Sequence, residues 1–405
     1  MNASILAMLS AQILSILGSA IAAIAIPWLL LEAQVGPDKM AGVFAVQSCA
    51  AVLAAIFGTP FLDRYEKRRV YIGCDLLLAG ATFALISLYL SGLLTPLMVA
   101  LILAFAAVVS SFSEAAGSSM IPELVEDNGV TNQRVNGLIG TFHNFGDLAG
   151  PAIGGLVIAG FGAVGALAID GVSFVLSAVL LLLFVARGKK PAPAPQAETE
   201  TLRTTYLGGI REIGRDPVLR TVTFISAIIN MVITPLLVLL LPVMVKQAGG
   251  SALGVGSLIS CFGVGAFLAS LLYTWKNSPL PPLQSLLASV LLALAAFVLI
   301  PLAGSYVAYI GLFLIGASVG YLGPLEQTLM QNSSPPHLIG RIMLAYSAFR
   351  TLLVPVGFFI VGGTLARIGV SEAFFALAAL LGVAALSLLY SLLAESRSWA
   401  VEKQA

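Results

Sequence analysis

From Ile5 to Leu31 the chain runs without one charged side chain, and stretches of this kind recur to its end. A helix needs about 20 mostly apolar residues to cross a bilayer, where lipid offers unpaired backbone groups no partner. Reading for such runs gives twelve spans: residues 5–31, 41–62, 70–92, 95–120, 135–160, 163–186, 219–244, 252–274, 284–303, 305–330, 341–366 and 370–394. Only 10% of the residues are charged and 59% are apolar. A water-soluble domain carries about 25% charged residues, so this chain cannot coat a water-facing surface. The expected fold is all-α and integral to a membrane. Met1 to Ser4 lacks the basic region and cleavage site of a signal peptide, so the first run counts as a true span.

The widest polar break lies between Arg187 and Arg220 and contains Lys189, Lys190 and the segment Pro191 to Pro195. It divides the spans into six and six: residues 1–186, a linker over 187–218, residues 219–396, and a tail over 397–405. The linker composition suits a flexible stretch followed by a short amphipathic helix. Lysine and arginine set the orientation. With the N-terminus inside, the inner loops hold Arg64, Lys67 to Arg69, Arg134, the basic residues of the linker, Lys276, Arg341, Arg397 and Lys403. The outer loops hold only Lys39, Lys246 and Arg367. Both termini are therefore expected in the cytoplasm, with the protein multi-pass in a plasma (inner) membrane. The halves echo one another. Arg134 to Gly162 and Arg341 to Gly369 frame the fifth and eleventh spans at the same spacing, and Pro122-Glu123-Leu124 before the fifth parallels Pro336-His337-Leu338 before the eleventh. Repeats so related place a substrate path between them near the bilayer midplane.

The fifth span contains a glycine ladder: Gly137, Gly146, Gly150-Pro151 and Gly154-Gly155. Glycines at 146, 150 and 154 share a helix face and admit a second backbone at close range. Pro151 removes a donor and softens the helix at that point. The plain reading is a packing face without a mechanism. The spacing also resembles the antiporter motif in the fifth helix of drug:proton antiporters of the major facilitator superfamily. After the second span, Asp63-Arg64-Tyr65-Glu66-Lys67-Arg68-Arg69 resembles the superfamily's loop motif G-x-x-x-D-R-x-x-R-R, although Thr59 occupies the first glycine slot. The resemblance implies that Asp63 caps a helix of the other half and latches the inner gate, with Arg64, Lys67 and Arg68 at the basic positions. Further phrases are similar to the enterobactin exporter and macrolide efflux branch: Ile16 to Ser19, Ile26-Pro27-Trp28, Ile121 to Leu124, Ile169 to Phe174, and Gly340-Arg341. Together they imply the major facilitator fold of two pseudo-symmetric six-helix bundles.

Acids inside spans cost a few kcal/mol, so each is expected to face a cavity or a partner. Glu114 lies on a polar stretch of the fourth span and Glu326 follows Gly323-Pro324 in the tenth. These two are the first candidates for proton coupling or substrate contact, with a structural ion pair as the plain alternative. Arg350 could hold Glu326 ionised or grip an anionic group; His143 occupies the matching place in the fifth span, and Asp147 lies inside the ladder. Asp75 and Asp170 lie nearer span ends and read as structural. Spans one, four, seven and ten line the central cavity of this fold, offering Gln12, Ser15, Ser19, Ser110, Ser113, Asn230 and Gln327 beside Trp28, Phe112, Met231 and Tyr321. An apolar wall with few polar anchors suits an amphipathic organic molecule better than a sugar or small ion. Cys49, Cys74 and Cys261 have no metal-like spacing and read as small buried hydrophobes.

The functional expectation is a secondary transporter exporting a drug or siderophore, coupled to protons and embedded in lipid as a monomer. It is not an enzyme and needs no cofactor, metal or nucleic acid. The nearest rival is a lipid or lysolipid flippase; more remote are a membrane receptor and a membrane lipid enzyme.

Overall fold

The computed structural model describes every residue except 1–2, 58–65, 127–131, 186–201, 276–279, 303–304, 336–337 and 403–405. The described chain is helical: α1 Ala3–Glu32, α2 Pro37–Phe57, α3 Lys67–Leu90, α4 Pro96–Glu126, α5 and α6 within Asn132–Phe184, α7 Leu202–Arg215, α8 Pro217–Pro235, α9 Leu241–Gln247, α10 Ala252–Trp275, α11 Pro282–Leu299, α12 Ser305–Ser333, α13 Ile339–Leu352, α14 Val354–Arg367 and α15 Val370–Glu402. The run Asn132–Phe184 breaks at Gly162, whose φ of 72° is open to glycine; α5 is residues 132–161 and α6 is 163–184. Ten described helical segments are long and apolar enough to cross a membrane. One of these, Leu148–Phe184, passes through the Gly162 turn and contributes to two spans, and α2 is free of charge after Lys39. Twelve crossings result, as expected.

Starts and stops follow local chemistry. Proline opens α2, α4, α8 and α11, where its missing N–H is not needed. Asp216 accepts the Leu219 N–H at 2.8 Å and caps α8. Two spans depart from the continuous helices predicted. In the seventh, Pro235 cannot donate to the Met231 carbonyl, and a π-helical turn over Leu236–Leu240 separates α8 from α9. The eleventh breaks at Leu353, two residues before Pro355, into α13 and α14.

The helices group into two compact units, Met1–Ala197 with Leu241–Ser260, and Glu198–Leu240 with Cys261–Ala405. In the first, Ile5, Met8 and Ala11 of α1 pack with Tyr71, Ala116, Met120 and Leu181. A second cluster joins Cys74, Leu78, Val109 and Phe174. In the second unit Phe297 and Phe374 meet at a centroid distance of 6.1 Å. The amphipathic linker helix α7 lies against the start of α13, with Gly209 bare against the Arg341 carbonyl. Leu97, Leu101 and Phe105 form an exposed stripe along α4, and Cys49 is exposed rather than buried. Such apolar faces suit lipid as their solvent.

Candidate functional site

Helices α3 and α6 run antiparallel along a seam of polar contacts in the first unit. At one end Arg68 donates to the carbonyls of Leu181 at 3.2 Å and Leu182 at 2.8 Å. These belong to the last turn of α6, where most carbonyls lack a helical donor; that of Leu181 also accepts the Val185 N–H at 3.3 Å. Two turns along α3, Asp75 is 1% exposed. Its Oδ2 accepts the Ser177 hydroxyl of α6, and its Oδ1 lies 3.5 Å from Ser113 Oγ of α4. Tyr71, one turn back, lines the same cavity wall as Asp75. Further along, Asp170 takes the Thr82 hydroxyl at 3.4 Å, while its Oδ1 is buried and unpartnered. A Cβ at Gly18 would stand 3.0 Å from that oxygen and overlap Ser173, so α1 can cross here only as glycine.

Beside the seam lies a cavity of about 520 Å³ within the first unit. Gln12, Ser15 and Ser19 of α1, Tyr71 and Asp75 of α3, and Ser110, Ser113, Glu114 and Ser118 of α4 supply its polar face. Ile16, Ala20, Ala23, Leu78, Ile121, Ile139 and Phe174 supply the apolar one. The Gln12 Oε1 and Ser15 Oγ atoms are buried without a hydrogen-bond partner. Gly117 keeps the wall thin, since a Cβ there would approach Tyr71 Cε2 at 2.8 Å and Gln12 Nε2 at 2.9 Å. The predicted residues Gln12, Ser15, Ser19, Ser113 and Glu114 therefore come together, with Glu114 exposed. Phe112 instead packs into the adjoining core. Trp28 is buried under Lys246, whose Nζ lies 4.8 Å from the ring centroid.

The second unit buries a carboxylate of its own. Glu326 on α12 is 5% exposed and accepts the Tyr346 hydroxyl of α13 at 3.0 Å, while its Oε1 has no partner. Tyr346 also lies 3.0 Å from Ser226 Oγ, and Asn230 donates to the Ser226 carbonyl. Arg350 is exposed and within electrostatic reach of Glu326. Among the described residues no ion pair joins them, and the side-chain hydrogen bond to Glu326 comes from Tyr346. Gln327 is exposed, and Tyr321 stacks edge-on against Tyr273.

The glycine ladder makes close helix contacts. Gly146, Gly150 and Gly154 of α5 lie against Ile16, Ala20 and Ile21 of α1. Gly155 lies against Ala252 and Leu253 of α10, and Gly256 meets the Pro151 carbonyl. Gly137 and the side chains of His143 and Asp147 lie outside the described residues. So do Asp63 and Arg64 of the loop motif. Lys67 of that motif donates to the Ser119 carbonyl at 3.1 Å; with Arg68, it ties the start of α3 to α4 and α6. Sequence reading missed Asp75, Tyr71, Ser177, Ser226 and Tyr346 as site residues. Tyr71 and Asp75, four apart in an apolar run, were the available signal.

The chain matches the Major Facilitator Superfamily over residues 8–358. Multidrug efflux pump Tap of Mycolicibacterium fortuitum is 26% identical over 380 residues, covering 92% of each chain. Macrolide efflux protein A of Streptococcus pyogenes is 22% identical over 379 residues, covering 90% of this chain and 89% of that protein. Among solved structures, the nucleoside transporter NupG superposes with a TM-score of 0.76 at 11% identity, over 97% of this chain and 98% of that one. A bacterial homolog of the human lysosomal transporter Spinster gives 0.72 at 14% identity over 96% of each chain. At these identities the structures speak for the fold, and the family match spans the ladder, the loop motif and the buried carboxyls of Asp75, Asp170 and Glu326. The chain, a membrane transporter of twelve helices in two six-helix bundles, belongs to the major facilitator superfamily.

Proposed function

We propose that this protein is a secondary exporter of an amphipathic small organic molecule, a drug or siderophore, working by alternating access in exchange for protons. The observation that carries the reading is the cavity of the first unit. One wall is apolar, and the other gathers serine hydroxyls, a glutamine amide and two carboxyl groups, as an amphipathic guest requires. The efflux pumps similar over nearly the whole chain support the outward direction and the drug-like substrate. In this reading the protein lies in the plasma (inner) membrane with both termini in the cytoplasm, and acts as a monomer. Residues 1–186 and 219–396 are its halves, 187–218 the linker and 397–405 the tail. Glu114 lines the cavity and is the leading coupling group. Losing its proton restores a charge that attracts a cationic or amphipathic substrate, so proton and substrate compete for one place. Glu326 ranks second and Asp147 third.

The test is transport of ethidium and erythromycin by purified protein in liposomes, with and without an imposed pH gradient. Glu114→Gln is expected to abolish gradient-driven accumulation while sparing downhill exchange, with Glu326→Gln as the comparison. Undiminished accumulation in both variants would remove both acids from the coupling role. Movement of lysolipid alone would replace the drug reading with a flippase.

A further inference from the structure

We infer that Asp75 is a second proton-carrying residue of the transport cycle, set behind Glu114 and joined to the cavity wall through Ser113. The inference rests on the exporter reading above and extends it to a residue that the sequence presents as structural.

Asp75 is one of the most deeply buried acids of the described chain, at 1% exposed, yet its side chain forms part of the cavity wall. Its hydrogen-bond partners are the hydroxyls of Ser113 and Ser177. Among the described residues no cation pairs with it. Arg68, the basic side chain two turns away on α3, is committed to the Leu181 and Leu182 carbonyls. A structural carboxylate in a bilayer is normally paired with a cation or backbone donors, because a buried charge without compensation is strongly unfavourable. Hydroxyls offer something different. Each donates to a carboxylate and, by rotating its hydrogen, accepts from a carboxylic acid. Ser113 and Ser177 can therefore serve Asp75 in both protonation states without moving a heavy atom.

The surroundings allow the proton to move. Ser113 and Glu114 are neighbours on α4 and both line the cavity, so the two acids share one wall. The titratable groups around Asp75 are Tyr71 and Cys74 on α3, Glu114 on α4 and Asp170 further along α6. On α1 the lining side chains are Gln12, Ser15 and Ser19, none of which titrates. On α5, His143 falls between the lining residues Ile139 and Gly146; its side chain and that of Asp147 lie outside the described residues. A substrate entering the cavity comes against a wall that holds Glu114, Ser113 and the edge of Asp75. Charge on the substrate then favours proton release from both.

The experiment compares the wild-type protein with Asp75→Asn, Glu114→Gln, His143→Gln and Ser177→Ala in liposomes loaded with ethidium. Downhill exchange and accumulation driven by a pH gradient are measured separately. Infrared difference spectra between acid and alkaline buffer report the carbonyl band of a protonated buried carboxyl. Asp75→Asn is expected to remove one such band and to lower gradient-driven accumulation at least tenfold more than it lowers downhill exchange. Ser177→Ala keeps the acid and is expected to shift the pH midpoint of accumulation. It decides the matter if Asp75→Asn does not insert. Unchanged accumulation and an unchanged band in Asp75→Asn would overturn the inference, as would loss of the band with accumulation intact. An unmoved midpoint in Ser177→Ala would count against it equally. If the wild type itself shows no gradient-driven accumulation, the proton-exchange reading falls and takes this role of Asp75 with it. Failure confined to Asp75→Asn leaves that reading standing on Glu114.

Discussion

The ladder contact at Gly150 yields a prediction that can be worked through from the atoms. A Cβ built there would overlap the Ala20 methyl of α1, while the Ala20 Cα and carbonyl carbon would lie at 3.5 and 3.7 Å. Carbon atoms settle at about 3.5–4.0 Å, so the methyl–methyl overlap alone must be relieved. Gly150→Ala forces α1 and α5 apart by about an ångström, at an overpacking cost of roughly 1–3 kcal/mol. Removing the opposing methyl with Ala20→Gly leaves only the contacts at 3.5 and 3.7 Å, which are ordinary packing distances. The double variant Gly150→Ala/Ala20→Gly should therefore recover most of the loss, apart from about 1 kcal/mol for glycine in a helix. Gly160→Ala is the control, because nothing lies within 4 Å of a Cβ at that position. The assay is thermal unfolding in detergent followed by export in liposomes, read as a double-mutant cycle. A coupling of about 1 kcal/mol or more between positions 20 and 150 is expected. Independent effects at the two sites, or a Gly150→Ala variant indistinguishable from Gly160→Ala, would refute the close-contact argument and leave the ladder without a packing role.

Two shorter predictions concern the polar contacts. Tyr346→Phe removes the hydroxyl that donates to Glu326 and leaves a buried carboxyl with fewer partners; a loss of about 1–3 kcal/mol is expected, checked by thermal unfolding against a Glu326→Gln background. Arg68→Lys keeps the charge but loses the forked geometry that reaches two carbonyls at the end of α6. It should destabilise by about 1.5–3 kcal/mol, measured the same way, and a neutral result would show that the α3 to α6 tie is dispensable.

The spans were legible because lipid imposes a length and a composition that few other constraints can mimic. The ladder was legible for a related reason: only glycine and alanine permit two backbones to meet, and their spacing is visible in one dimension. Asp75 reads as structural from the sequence because of where the helix boundary is drawn. The third span was drawn from residue 70, placing Asp75 near its end, whereas α3 starts at Lys67 and continues past the seam. Its partners come from α4 and α6, and Ser177 lies 102 residues away along the chain. No local pattern encodes such a meeting. Tyr346 and Ser226 escaped notice similarly: a tyrosine and a serine in apolar helices have many uses, and only their convergence on Glu326 selects one. The break in the eleventh span had a visible cause in Pro355, but proline alone leaves open whether a helix kinks or stops.

The contacts that hold the helices together also mark where they can bend. Pro235 leaves the Met231 carbonyl without its helical donor, and Gly357 of α14 lies bare against that oxygen. In the first unit Gly256 lies bare against the carbonyl of Pro151 itself, beside the bond that this proline removes from α5. At each point a proline weakens one helix and a glycine admits its neighbour, so the contact involves carbonyl oxygen and Cα rather than interlocked side chains. Cα–H···O contacts are worth only about 0.5–1 kcal/mol each, less than an interhelical clasp of side chains, and they slide with little penalty. The π-helical turn after Pro235 adds slack in the same segment. A transporter that alternates needs helices packed tightly enough to exclude water yet free to shear. Pairing proline with a facing glycine meets both needs at one place, which is why filling Gly256 or Gly357 should impair movement more than insertion.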